Sequence, residues 1–402
     1  MWLGADCDTS LALPNGSTLW LFGDTLLGSW ADGRRVLGDC VMPHQTVGIQ
    51  PDPTSPISFR WRENGTDGGS PLNLFWAPGG LEAPKSCASP FGETSAYYWV
   101  VSGIESGSTG LPSGKLLLLA QRIVATPGAG LGFFVLGTTA IVVDSADEPT
   151  QWWARHRKAN LTSCTDAAHC ETWASGIFAA PDCGPGCVYL VGSLGSAAAG
   201  YGQSLLRANL SSLLTLDFGR MELLCADGVW RAHDPRGARG ARRNEWGVPS
   251  RAATAAPRPR AGFEQAVPTR VQSTRLIAPI SLFPQQSELT LHFSRFLRKW
   301  ITASFDSFGG KRLLLWSSRA DDVRGPWTSQ LVYTLPRPWS NASLYYSYAV
   351  KLHPHLATAA DEMVISYVSN ALEMGGLFTS AEDRIYTPQL LRLSLEGAAR
   401  RQ

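Results

Sequence analysis

A chain of 402 residues, 44% hydrophobic and 17% charged, is long enough to bury a sizeable core, and its composition excludes disordered, collagen-like and coiled-coil classes. The net charge of +2 is unevenly spread: residues 231–275 hold ten arginines against Asp234, Glu245 and Glu264, which leaves the remainder net acidic. That remainder lacks the basic face of a nucleic-acid binder, so no nucleic-acid partner is expected.

The 40 glycines and 26 prolines, with 15 Trp, 10 Tyr and 15 Phe, favour many short strands joined by tight turns. In chain order, GADCDTS sets Asp6 and Asp8 just before a short strand, TSLALP (9–14), whose hairpin partner STLWLFGD (17–24) ends at Asp24. VMPHQTVGI follows and contributes His44. Aromatic-rich strands of the same kind recur as SAYYWVVSG (95–103), GCVYLVGS (186–193), KWITASFD (299–306) and DEMVISYVSN (361–370). Short apolar strands precede them: PLNLFWAP (71–78), WASGIFAAP (173–181), SELTLHF (287–293) and SYAVKLHP (347–354). A third strand follows four of the five, namely KLLLLAQRIV, QSLLRANL, RLLLWSSRA and PQLLRLSL.

A unit of three or four antiparallel strands repeated five times predicts an all-β, five-bladed β-propeller. One such propeller is expected over residues 1–402, with blades near 1–60, 61–126, 127–215, 216–336 and 337–402. A β-sandwich is the alternative. The stretch RAHDPRGARGARRNEWGVPSRAATAAPRPRAG lacks periodicity and reads as a disordered basic insertion, within 231–275, in the fourth blade. The longest apolar run, FFVLGTTAIVV (133–143), is too short for a transmembrane helix and β-branched like a buried strand, so no membrane insertion is expected.

Eight cysteines, an even number, are compatible with disulfides, and Cys183 and Cys187 bracket a Gly-Pro-Gly turn. Cys164, His169, Cys170, Cys183 and Cys187 fit no usual zinc-finger spacing, so disulfides are preferred there to a metal. Five of the eight asparagines, Asn15, Asn64, Asn160, Asn209 and Asn341, begin N-x-Ser/Thr acceptors. These point to a secreted or lumenal glycoprotein, although MWLGADCD opens with no visible signal peptide and the true start is expected upstream if the chain is secreted.

In a propeller the inner strands converge on one axis, so polar groups at their ends gather into a single funnel. Asp6, Asp8 and Asp24 come from the first blade, Glu288 opens the SELTLHF strand, and His44 and His353 add imidazoles. Paired carboxylates suit glycoside hydrolysis, in which one protonates the leaving oxygen while the other attacks the anomeric carbon or activates water. Trp76 and Trp173, near the ends of inner strands, are candidates to stack on sugar rings. Each residue also has a structural reading. The aspartates can close Asx turns, Glu288 can pair with an arginine, and the histidines and tryptophans can be core residues. The chain holds no G-x-G-x-x-G, Walker loop, H-E-x-x-H or G-x-S-x-G in a strand-turn-helix setting, and no redox or nucleotide cofactor is expected.

GADCDTSLALPNGSTLWLFGDT resembles the opening of an uncharacterised family of five-bladed propeller domains that looks related to endo-D-arabinanases and, more distantly, to arabinanase and fructosidase propellers. FWAPGG, SELTLHFSRFLRKWITASFD, GPW, SYAVKLHPHL, ISYVSN and YTPQLLRLSL continue the likeness over most of the chain. It implies reactive carboxylates at Asp6 and Asp24, with Glu288 as a third. Where an Asn-Ser or Asn-Thr pair is expected, this chain has His44-Gln45-Thr46. The expected function is cleavage of a glycosidic bond in a carbohydrate polymer or glycan, and the resemblance adds an arabinofuranosidic bond as the finer expectation. Asp6, Asp24 and Glu288 are the catalytic candidates, and Asp8, His44, Trp76, Trp173 and His353 the substrate-binding ones. A non-catalytic carbohydrate-binding or protein-interaction propeller is the alternative.

Overall fold

The structure is a computed structural model that describes residues 1–61, 74–75, 87, 96–125, 133–164, 170–194, 203–225, 227–235, 288–319, 321–341, 343–379 and 384–396. Trp76 and most of the basic insertion, from residue 236 onward, lie outside the described residues.

Five antiparallel sheets form the blades of a propeller. The chain begins with β1 (Trp2–Ala5), then lays down the first blade as β2 (Thr9–Ala12), β3 (Thr18–Phe22), β7 (Thr46–Gln50) and β8 (Ser58–Arg60). Between β3 and β7 come β4 (Thr25–Leu27), which pairs with β1, and a two-stranded ribbon of β5 (Trp30–Ala31) and β6 (Arg34–Arg35). Blade two is β9 (Ala96–Glu105), β10 (Lys115–Ala125), β11 (Phe133–Asp144) and β12 (Arg157–Asn160). Blade three has five strands: β13 (Glu171–Ala179), β14 (Cys187–Leu194), β15 (Gln203–Asn209), β16 (Met221–Leu224) and β17 (Trp230–His233). Blade four is β18 (His292–Ser294), β19 (Lys299–Phe305), β20 (Arg312–Ser318) and β21 (Trp327–Thr334). Blade five is β22 (Tyr345–Leu352), β23 (Glu362–Ala371) and β24 (Gln389–Ser394).

Strand composition follows position in the blade. Middle strands are covered on both faces, so β3 (TLWLF) is buried at every residue. The outermost β24 alternates half-buried with exposed residues, as a one-sided strand must. Two sequence assignments shift. SAYYWVVSG is the inner strand of blade two, not its second, because β9 packs against β13, β2 and β3 of the neighbouring blades. FFVLGTTAIVV, placed at the start of the third unit, is the third strand of blade two, paired with β10 over its whole length. Both shifts arise because strands that are apolar on both faces carry no mark of their order in a blade.

The first and last blades meet where the ring closes. Ala5, Trp20 and Phe22 pack with Leu356 and Val364. The buried Arg35 guanidinium donates to Leu3 O at 2.9 Å, Leu377 O at 3.2 Å and Ile385 O, so one side chain ties the N-terminal ribbon to the connection after β23. His353, fully buried, shares hydrogen bonds with Ser10 Oγ of blade one and Ser366 Oγ of blade five. Cys40–Cys87, Cys164–Cys170 and Cys183–Cys187 form disulfides, while Cys7 and Cys225 are free and buried. No described helix is long and apolar enough to cross a membrane.

Because Arg35 satisfies three buried carbonyls, Arg35→Met is expected to destabilise the fold by at least about 3 kcal/mol. Arg312→Met, which breaks an exposed pair with Asp306, is expected to cost less than about 1 kcal/mol. Denaturant midpoints of the two variants check this, and equal losses would remove Arg35 from ring closure.

Candidate active site

The motif Phe22-Gly23-Asp24-Thr25 leaves the end of β3 and doubles back against the residues before β2. Gly23 N donates to Asp6 O at 3.0 Å, and Asp6 N to Asp24 O at 3.3 Å. A Cβ on Gly23 would collide with Asp6 Oδ1 and crowd Cys7 Sγ, so the glycine is what lets the two aspartates sit side by side. Cys7 and Asp8 both hold left-handed backbone (φ 70° and 33°), a costly conformation for residues with a Cβ. That double kink turns the chain from Asp6 into β2.

Asp24 is buried, and its Oδ1 accepts from His44 Nδ1 and Trp99 Nε1, both at 2.6 Å. The His44 ring in turn stacks on Tyr97, with centroids 3.6 Å apart. Gln45 and Thr46 are structural: Gln45 Nε2 donates to Tyr98 O, and Thr46 shares a hydrogen bond with Thr25.

Asp6 differs. Part of the residue remains exposed, while its carboxylate accepts from Tyr348 Oη at 2.8 Å and Tyr386 Oη at 3.3 Å. Burial of the carboxyl pushes its pKa well above the ordinary range, and the negative charges of Asp24 and Glu288 push it further. The two tyrosine donors oppose this only in part. Both phenols are themselves raised, burial being the main cause, so they remain donors. Tyr386 also donates to Asp24 O at 3.0 Å, which links the two aspartates through one hydroxyl.

Close to this pair, Glu288 lies 2.9 Å from Lys351 Nζ, both buried. The contact is an ion pair set off the hydrogen-bonding angle, since Glu288 Oε2 has no hydrogen-bond partner among the described residues. Lys351 donates to Val101 O at 3.1 Å instead, so groups from blades two, four and five converge here. A β-bulge in β22 makes this possible: the register shifts between Tyr348 and Lys351, and Ala349 takes φ 54°. Strict alternation would send residues 348 and 351 to opposite faces, whereas the extra residue brings both to the central cluster.

Asp8 is fully buried and neither carboxylate oxygen finds a hydrogen bond among the described residues. Ser366 is near, but its hydroxyl is committed to His353. Burial lifts the Asp8 pKa to about 7 against the pull of Ser366 and Lys351.

The structure thus gathers Asp6, Asp24, His44, Glu288 and Asp8. It does not bring Trp173 or His353 to an open surface, and their expected substrate contacts are corrected to packing roles. Trp173 is fully buried between blades two and three, with its indole donating to Glu171 at 2.6 Å. Burial holds the His353 pKa well below the ordinary value, and both ring nitrogens are engaged within the fold. Trp99, Tyr348, Tyr386 and Lys351 were missed. The spacing Tyr346-x-Tyr348 on an inner strand was the one available signal. Tyr346 and Tyr348 stack at 5.3 Å, and the exposed Phe308 lies about as close to both. On the other flank, half-buried Trp99 meets Phe133 edge-on at 4.6 Å. No cluster of metal-ligating groups exists among the described residues.

Fold and geometry define a five-bladed propeller with acids gathered at its axis. The chain belongs to the family described as Domain of unknown function DUF5005, whose profile matches residues 1–203 and 299–395. No curated protein matches it. A Bacteroides ovatus protein provisionally named a hydrolase shares the fold, with a TM-score of 0.65 at 16% identity over 97% of this chain and 86% of that one. A β-xylosidase/α-arabinofuranosidase of glycoside hydrolase family 43, from a compost metagenome and in complex with xylotriose, aligns at TM-score 0.45 and 9% identity over 98% and 92% of the two chains. A family 43 enzyme from Xanthomonas citri, also complexed with xylotriose, aligns at 0.43 and 11% over 98% and 87%.

The raised Asp8 pKa has a defined sign. Between the unfolded carboxyl value and about 7 the folded state holds a proton that the unfolded state has lost, so stability falls as pH rises through that window. Asp8→Asn is expected to flatten this decline and to be more stable than the parent at pH 8 by on the order of 3 kcal/mol. Denaturation at pH 4.5 and pH 8 tests it, and an unchanged pH slope would show that Asp8 is charged in the native state.

Proposed function

We propose that the protein hydrolyses a glycosidic bond in a neutral glycan, with Asp6 as general acid and Asp24 as general base or nucleophile. The observation that carries this reading is the contrast between two adjacent carboxyls. Asp6, partly exposed, has its pKa raised well above the ordinary carboxylate range by burial and by neighbouring negative charge, while Asp24 is oriented by hydrogen bonds from His44 and Trp99. Two carboxyls in unlike environments are what acid-base cleavage of an acetal requires.

Glu288 assists through its charge, which helps to hold the proton on Asp6, and Lys351 fixes its position. Aromatic rings flank the pair on two sides, and their apolar faces suit the C–H faces of sugar rings. Lys351 is already paired with Glu288, and Asp24 and Glu288 both face Asp6 with negative charge. This disfavours sugars bearing carboxylate or sulfate. The Bacteroides ovatus protein of the same fold, named a hydrolase, supports the reaction class. The sequence likeness to arabinanase propellers favours a furanosidic bond.

Purified protein is expected to cleave at least one member of a panel of arabinans, fructans and other neutral glycans, and to leave polygalacturonate intact. Asp6→Asn and Asp24→Asn should each lower kcat by about 10²- to 10⁴-fold. The alkaline limb of the pH-rate profile should lie above the ordinary carboxylate range, because the acid works only while protonated. Tyr348→Phe removes a donor that favours the charged form and should move that limb further up. Full activity in Asp24→Asn would remove it from the mechanism. Glycan binding without turnover would make this a carbohydrate-binding propeller.

A further inference from the structure

We propose that Asn15, Asn209 and Asn341 carry N-linked oligosaccharides. All three are exposed. Each folds its acceptor sequence into the same local turn: the backbone N–H and hydroxyl of the serine two residues on both donate to the asparagine Oδ1. For Asn15 the distances to Ser17 are 3.1 and 2.7 Å, for Asn209 to Ser211 2.8 and 2.6 Å, and for Asn341 to Ser343 3.2 and 2.7 Å.

The turn divides the carboxamide. Oδ1 serves the fold, and at Asn209 it also caps the short helix Leu210–Leu214. Nδ2, the atom that would bear a sugar, makes no hydrogen bond among the described residues. An oligosaccharide on Nδ2 at these exposed residues therefore breaks no hydrogen bond among the described residues.

The sites are spread over the molecule. Asn15 sits in the β2–β3 turn, at the opposite end of blade one from Asp24, and Asn209 at the corresponding end of blade three, paired with Cys187. Asn341 precedes β22. Asn160 is different: it is exposed, but its Oδ1 accepts from Thr139, while its own Thr162 donates to Glu171 O and forms no such turn. It is left out of the proposal.

The three disulfides carry the argument independently of the asparagines. Their formation needs an oxidising compartment. In eukaryotic cells that compartment also holds the donor, an oligosaccharide joined to a lipid pyrophosphate. In the transfer, Nδ2 loses a proton and bonds to the anomeric carbon of the first sugar. The bond from that carbon to the pyrophosphate oxygen breaks, and lipid pyrophosphate leaves with the electron pair.

The experiment uses the full chain expressed behind a cleavable secretion leader in a eukaryotic host. Protein from the medium is treated with peptide-N-glycosidase and mapped by peptide mass. The expected result is conversion of Asn15, Asn209 and Asn341 to aspartate at more than half occupancy, with one gel step lost for each single Asn→Asp variant. Aspartate keeps the Oδ1 acceptor, so these variants retain the turns, and unchanged melting separates loss of a glycan from loss of fold. Secreted, disulfide-bonded protein unmodified at these three asparagines would overturn the proposal. So would failure of the chain to leave the cells while a control protein behind the same leader is secreted, since the chain would then not be one that folds in that compartment.

Discussion

The organising constraint is closure of a ring whose first and last blades come from opposite ends of the chain. Among the described residues, no strand of blade one is supplied by the C-terminal segment. The seam is held instead by side chains: Arg35 on carbonyls more than 340 residues away in sequence, His353 between Ser10 and Ser366, and apolar contacts around Trp20 and Val364. The candidate site lies on this seam. Asp6 and Asp24 come from one side of it and Tyr348 and Tyr386 from the other, so ring closure and the candidate site share the same contacts.

That arrangement explains why the centre is so acidic. Five acids or potential acids, Asp6, Asp8, Asp24, Glu288 and the Cys7 thiol, stand near one buried ammonium, Lys351, and the pKa values of Asp6, Asp8 and Cys7 are all raised, chiefly by burial. A protein selected only for stability would replace Asp8 with a group that needs no proton. Left-handed backbone at Cys7, Asp8, Ala349 and Tyr386 adds local strain at the same place. Strain and unsatisfied polar groups are thus concentrated at the candidate site, where a local departure from the most stable arrangement is expected if the site is functional.

Much of this was legible in the sequence, for physical reasons. Repeated apolar strands marked the propeller because every blade buries the same kind of middle strand, and the aspartates of GADCD and FGDT stood out because acids next to apolar strands need an explanation. Strand order within a blade was not legible where both faces are buried, as in β9 to β11. Trp173 and His353 were drawn to the site by residue type, yet their environments are decided by the neighbouring blade, which no local pattern records. Tyr386 and Lys351 escaped for the opposite reason: one lies in a connection before the outermost strand, and the other reaches the axis only through a bulge that breaks the alternation on which strand reading depends. His44 meets Asp24, a contact that depends on the β3–β7 pairing and so has no local mark in the sequence.

The seam has a consequence in time. Residues 6 and 24 leave the ribosome long before residues 348 and 386, so while the chain is being made the aspartates exist without the hydroxyls that orient them. Contacts of such long sequence separation form late in folding. A nascent or prematurely ended chain therefore carries both acids without the Tyr348 and Tyr386 hydroxyls, and the cluster is complete only when the fifth blade docks against the first.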